Sequence, residues 1–200
     1  MEFKTLLVIM TSAILVNNYV LSQFLGICPF LGVSKEMKNA VGMGIALIFV
    51  MLIATAVTWP LQIYFLTKHG LDFLEIIVFV LVIAALVQFV EIVLKKYIPS
   101  LHAALGIYLP LITVNCALLG VTLLNINKGY SFIESMVNSL GAGLGVLLAM
   151  VIFSGIREHT ENSNPPESFK GLPITLISAA ILSFSFFGFN GVMEHLFGVK

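Results

Sequence analysis

Four stretches of this chain, at about 41–66, 71–94, 132–156 and 172–193, are apolar for long enough to cross a bilayer. A membrane-spanning helix needs roughly 20 predominantly apolar residues to traverse the hydrocarbon core. Nothing else in the sequence restricts the fold as strongly. The composition agrees, with 59% of the 200 residues hydrophobic and only 10% charged, and a mean hydropathy of +1.06. A soluble domain carries about 25% charged residues, so this chain cannot clothe a water-facing surface and the lipid bilayer is its expected solvent. Ten basic residues balance ten acidic ones. No basic face is available, which excludes a nucleic-acid partner.

Two further stretches are apolar but interrupted. The one at about 5–33 holds Asn17-Asn18 in its middle and Pro29 after Cys28, and the one at about 101–124 holds Gly106, Pro110 and Asn115. Polar or helix-breaking residues at membrane depth are tolerated only where protein or a cavity covers the freed backbone groups. The spacing therefore predicts six transmembrane helices in an all-α integral membrane protein, with discontinuous first and fourth segments facing the protein interior. The apolar stretch after Met1 reads as a retained first span, because one lysine and no small-residue cleavage site make a poor secretory signal.

The interrupted segments open two halves, 1–97 and 98–200, of three spans each. Cys28-Pro29-Phe30-Leu31-Gly32-Val33 aligns with Cys116-Ala117-Leu118-Leu119-Gly120-Val121, sharing Cys, Leu, Gly and Val in register. Further on, Gly42-Met43-Gly44 resembles Gly141-Ala142-Gly143 after an insertion of about 11 residues in the second half. Three spans per half is an odd number, so the second half is expected to run through the membrane in the opposite sense. Such inverted repeats are related by a pseudo-two-fold axis in the membrane plane, and interrupted segments at matching positions point to a functional site. The two cysteines would then approach each other from opposite faces.

Positive charge gives the orientation. Lys35, Lys38, Lys95, Lys96, Arg157 and Lys170 fall on one side, against Lys4, Lys68, Lys128 and Lys200 on the other. The richer side is expected in the cytoplasm, which places both termini outside. The loop from Arg157 to Gly171, with Asn164-Pro165-Pro166, is the longest and offers a docking surface.

Several residue types carry competing readings. A cysteine is often only a small buried hydrophobe. Here the chain's two cysteines occupy equivalent places beside broken helices, which favours metal or cluster ligation by soft thiolates. A [2Fe–2S] cluster takes four thiolates, so two would have to come from another chain. Neither cysteine stands in a CxxC or zinc spacing. Gly141, Gly143 and Gly145 follow no strand and read as close helix packing rather than a nucleotide fingerprint. Asn17, Asn18, Asn115 and Asn138 either line an ion path or bond across helices. Gln88 and Glu91 share a face of the third span, and an intramembrane carboxylate is a functional candidate, although Glu91 lies only four residues before Lys95. His69, His102, His159 and His195 fall near span ends, and Trp59, Tyr64, Tyr97 and Tyr108 suit the aromatic belt. No Walker loop, dinucleotide fingerprint or hydrolase elbow is present.

At Leu25-Gly26-Ile27-Cys28-Pro29-Phe30-Leu31-Gly32-Val33-Ser34 and Leu109-Pro110-Leu111-Ile112-Thr113-Val114-Asn115-Cys116-Ala117 the sequence resembles the A subunit of the bacterial Rnf complex. The E subunit of the sodium-pumping NADH:quinone reductase is a relative in the same family. The resemblance covers the whole chain. It implies a component of a redox pump that passes electrons between ferredoxin and NAD and moves sodium ions or protons across the bacterial inner membrane. It further implies pairing with the homologous Rnf E subunit of opposite topology, within an assembly that also holds the B, C, D and G subunits. In such proteins each of the paired subunits gives two cysteines to one iron or [2Fe–2S] centre; carried over by motif, Cys28 and Cys116 are the ligands here. A secondary transporter or channel without a redox centre is the alternative.

Overall fold

The computed structural model describes residues 3–34, 36–69, 72–97, 112–113, 115–162, 166 and 169–197, and among these the chain is helical with no strand. The first helix, α1 (Phe3–Thr11), widens into a π-helical turn over Ser12–Val16 and stops at Asn17. Asn18 explains the stop. Its Oδ1 accepts the backbone N–H groups of Val20 and Leu21, while its Nδ2 donates to the Ile14 carbonyl and, across the fold, to the Gly145 carbonyl at 2.8 Å. Backbone groups released by the break are thus taken up by protein, as a lipid setting demands. The connection turns through Phe24 (φ 56) and Gly26 (φ 85) into α2 (Ile27–Val33).

The long α3 (Met37–Leu61) runs on through a π-helical turn at Gln62–Leu66 and a last turn at Thr67–His69. Pro60 sits just before that turn. It lacks the N–H that would continue the regular ladder, so the helix loosens there without ending. A 3₁₀ turn leads into α4 (Glu75–Tyr97). Gly106 and Pro110, expected to break the fourth segment, lie outside the described residues, as do Lys35, His102, Tyr108, Asn164, Pro165 and Lys200. The chain is extended at Asn115 (φ −74, ψ 113), and α5 (Cys116–Asn127) begins immediately after it. Then come α6 (Phe132–Asn162) and α7 (Leu172–Phe197).

Three helical stretches, Met37–Leu66, Glu75–Val93 and Phe132–Thr160, are long and apolar enough to cross a membrane. Lys4–Val16, Cys116–Asn127 and Leu172–Gly188 form shorter apolar helices. Of the six predicted spans, then, three are uninterrupted membrane-length helices among the described residues.

The core is the antiparallel pair α3 and α6, the most extensive helix contact in the fold. Glycines let the two backbones approach. A Cβ on Gly44 would lie 3.3 Å from the Leu147 Cα, and one on Gly143 would lie 3.1 Å from the Ile48 Cα. Gly141 and Gly145, four residues apart on another face of α6, receive the backbone of α1 and its π turn at Met10, Ala13 and Ile14. This is the small-residue packing expected of the glycine series. Outside this core, α4 and α7 expose large apolar side chains, among them Leu81 and Phe89 on α4 and Ile181 and Phe184 on α7. Only 17% of the α4 span is covered by protein, against 44% for α3 and 56% for α6. Apolar surface of this extent is at home in lipid.

Candidate metal centre

Both cysteines stand in the first turn of a short helix that follows a break. Cys28 is the second residue of α2 and Cys116 the first of α5. The exposure of one helix repeats along the other. Cys28 and Cys116 are exposed; Pro29-Phe30 and Ala117-Leu118, which follow them, are buried; Val33-Ser34 and Val121-Thr122 are buried again. Each thiol therefore faces outward from a helix whose next residues anchor it in the core.

The anchors differ. α2 is docked on α6, where Phe30 stacks on Phe153 with ring centroids 4.2 Å apart. One turn further along α6, Arg157 Nη1 donates to the Leu31 carbonyl at 2.8 Å and to Ser34 Oγ at 3.2 Å. A guanidinium there satisfies a free carbonyl at the end of α2 and opposes the negative end of its dipole. At the start of α5, Asn115 is the N-cap, its Oδ1 accepting the Ala117 N–H at 3.0 Å. Beyond the end of α5, Trp59 Nε1 donates to the Tyr130 carbonyl at 3.0 Å and the indole sits edge-on to Phe132.

The two cysteine segments meet. The Gly26 N–H donates to Cys116 Sγ at 2.9 Å. Two residues of chain span at most about 7 Å, so Cys28 is held near the same spot. Gly26 is required there: its φ of +85 suits a residue without a side chain, and a Cβ would lie 3.0 Å from the Ala117 Cβ. Among the described residues no three His, Cys, Asp or Glu side chains gather into a metal-binding group. The chain contributes two thiols to this surface and no more, since it has only two cysteines.

Of the asparagines singled out in the sequence, Asn18 and Asn138 bond across the fold, whereas Asn17 and Asn115 bond within their own segments. Asn138 Nδ2 donates to Tyr19 Oη at 3.1 Å and to Asn125 Oδ1 at 2.6 Å. Asn125 Nδ2 in turn donates to Ser139 Oγ at 3.1 Å, which lies 2.7 Å from Thr55 Oγ1. This buried chain ties the loop after α1 to α3, α5 and α6. Asn125, Thr55, Ser139 and Tyr19 are not legible as partners because nothing local marks one polar residue as the mate of another; only the fold brings them together. Asn17 donates to Ser12 Oγ. On α4, Gln88 is exposed and Glu91 half-buried, and His159 is exposed near the end of α6. The structure brings none of these three to the cysteines.

The Rnf-Nqr family, described as an Rnf-Nqr subunit and membrane protein, matches residues 6–193. The chain belongs to the Rnf-Nqr family. It is 55% identical to the A subunit of the Na(+)-translocating ferredoxin:NAD(+) oxidoreductase complex of Acetobacterium woodii, over 94% of this chain and 98% of the relative. It is also 51% identical to the A subunit of the ion-translocating oxidoreductase complex of Syntrophotalea carbinolica, over 95% and 98% of the two chains. The corresponding protein of Azoarcus sp. is 48% identical over 94% and 98%. Membership of the Rnf-Nqr family and the apolar helices together make this a membrane protein.

The cysteine surface suits an iron or iron–sulfur centre. Two soft thiols stand outward on adjoining segments, one of them already receives a backbone N–H, and the Nδ2 of Asn115, the residue before Cys116, is buried without a hydrogen-bond partner among the described residues. Donors of this kind satisfy the negative sulfurs of a metal–thiolate centre.

Proposed function

We propose that this chain is a membrane component of a redox-driven ion pump of the ferredoxin:NAD oxidoreductase type. Cys28 and Cys116 supply two thiolates to an iron or [2Fe–2S] centre shared with a homologous E subunit, and electron relay is coupled to translocation of sodium ions or protons. The observation that carries the reading is the pair of outward-facing thiols joined through the Gly26 N–H. Such a centre supplies one-electron redox chemistry. The chain's own part is to hold both sulfurs on capped, docked helices at a surface a partner can complete. The names of the relatives favour an assembly, which we take to include the B, C, D and G subunits, in the bacterial inner membrane.

The same reading takes the chain as two inverted three-helix halves, 1–97 and 98–200. The α3–α6 contact supports it. Gly44 meets Leu147 and Gly143 meets Ile48, and the offset of 99 that carries Gly44 to Gly143 also carries Ile48 to Leu147. Contacts reciprocated in this way are what a two-fold axis generates. Of the nine buried residues of α3, eight fall on buried positions when moved by 99, among them Ala40 on Ser139, Leu47 on Val146 and Ala54 on Phe153, while Thr58 falls on the half-buried Arg157. Along the cysteine helices the offset is 88. The difference of 11 falls where α5 outruns α2, in the turn after it and in the extra first turn of α6.

The energetics are sufficient. Two electrons falling about 100 mV release nearly 5 kcal/mol, and moving one charge against about 100 mV costs about 2.3 kcal/mol. Iron and acid-labile sulfide in the purified complex test the proposal. Cys28→Ser and Cys116→Ser should each insert normally yet lose the iron and ferredoxin-to-NAD electron transfer. Near-normal transfer in either variant would remove the ligand assignment, and a complex devoid of iron would favour a transporter without a redox centre. The termini are assigned to the outside of the cell; reporter fusions at Lys200 and near Asn164 should read outside and cytoplasmic respectively.

A further inference from the structure

One N–H group is aimed at Cys116 Sγ, and the carboxamide N–H groups of the residue before it are buried and unused. The Gly26 N–H points at Sγ from 2.9 Å, although no backbone ladder or helix calls for that bond. It exists because the loop before α2 turns through two left-handed residues, Phe24 at φ 56 and Gly26 at φ 85. A non-glycine residue such as Phe24 adopts that region at a cost. The neighbouring residue Asn115 is 95% buried, and its carboxamide is split in its duties. Its Oδ1 caps α5 through the Ala117 N–H, which fixes the orientation of the group. The Nδ2 is left buried with no partner among the described residues. Oδ1 lies 3.3 Å from where a Gly26 Cβ would stand, so the carboxamide is wedged between Gly26 and the start of α5. A buried, unused N–H pair is expensive unless something accepts from it. Cys116 is also the first residue of a twelve-residue helix, at the positive end of its dipole.

We propose that Gly26 and Asn115 are positioning residues that donate to the sulfur side of a metal–thiolate centre on Cys116 and thereby hold its reduction potential up. This rests on the ligand role given to Cys116 under the proposed function. The added electron makes the reduced centre more negative, and N–H donors aimed at its sulfurs favour that form; hydrogen bonds to the sulfurs are among the factors that set such potentials. Gly26 belongs to the first cysteine segment and acts on the second cysteine. The loop at Asn17–Gly26 thus links the two ligand helices electrostatically as well as sterically.

The test is an EPR-monitored redox titration of the assembled complex carrying Asn115→Ser or Gly26→Ala. Serine keeps an oxygen that can cap α5 but removes the Nδ2 donor. Alanine at 26 carries a Cβ into the Ala117 contact and disfavours the left-handed φ, which pulls the N–H from Sγ. In Asn115→Ser the centre should load with iron and its midpoint should fall by about 30–60 mV, a tenfold change in equilibrium being about 59 mV for one electron. Gly26→Ala should shift the midpoint the same way or, where the loop fails to form, lose iron; the serine variant then decides. A loaded Asn115→Ser complex with the wild-type midpoint overturns the inference and leaves the ligand assignment standing. A wild-type complex with no iron signal dependent on Cys116 overturns both.

Discussion

The close approach of α3 and α6 makes a quantitative expectation for Gly44→Ala and Gly143→Ala. A Cβ at 44 would collide with the Leu147 Cδ1 and lie 3.2 and 3.3 Å from its Cβ and Cα. The Cδ1 is the far end of a flexible side chain and can turn away. The other two atoms move only with the backbone, and unstrained carbon contacts need about 3.5–4.0 Å. At 143 the new methyl would lie 2.8 Å from the Ile48 Cγ1 and 3.1 Å from its Cα. Isoleucine is stiff at χ1, so even the Cγ1 resists displacement. Overpacking of this kind costs about 1–3 kcal/mol, and replacing a helical glycine by alanine returns up to about 1 kcal/mol. Net of that return, Gly44→Ala should lose about 0–1 kcal/mol and Gly143→Ala, against the stiffer neighbour, about 1–2 kcal/mol. One small separation of the helices relieves both clashes, which lie a single turn apart. The double variant should thus fall short of the sum by about 0.5–1 kcal/mol. Gly188→Ala on α7, with nothing within 4 Å of its Cβ, is the control. Equilibrium unfolding in mixed detergent micelles, followed by the fluorescence of Trp59, the only tryptophan, reads the effect. The indole packs on Phe132 at the start of α6, so it reports on this helix pair. Gly143→Ala unfolding together with Gly188→Ala would refute the packing argument.

Other outcomes follow from single bonds. Arg157→Met removes the donor to Leu31 and Ser34; it should cost about 1.5–3 kcal/mol and reduce iron content in the complex, and full loading with unchanged stability would show that α2 does not depend on it. Asn138→Leu strands Tyr19 Oη and Asn125 Oδ1 in the core. A loss of about 1–3 kcal/mol in the same unfolding assay is expected, and a neutral result would mean that the polar chain contributes nothing to folding.

The sequence alone determined that this chain is helical and lives in lipid, because apolar runs of that length with so few charges have no other stable solution. It also located the break at Asn17-Asn18, since an amide side chain inside an apolar helix competes for the backbone, as Asn18 does. The glycines of α6 were legible as packing residues for a similar reason: a missing side chain has one main use where two helices touch. Tertiary structure decided the rest. Cysteine is apolar enough to be buried and reactive enough to be displayed, and only the docking of α2 and α5 turned both thiols outward. Asn138 reads equally as part of an ion path or as glue, and only the fold shows which groups it bonds, in the Tyr19–Asn138–Asn125–Ser139–Thr55 chain. The Gly26 N–H on Cys116 spans 90 residues of sequence and depends on a backbone angle at Gly26. Hydrophobic length and local propensity are written along the chain, whereas the partner of a polar group is fixed by whichever distant segment the packed core brings within bonding distance.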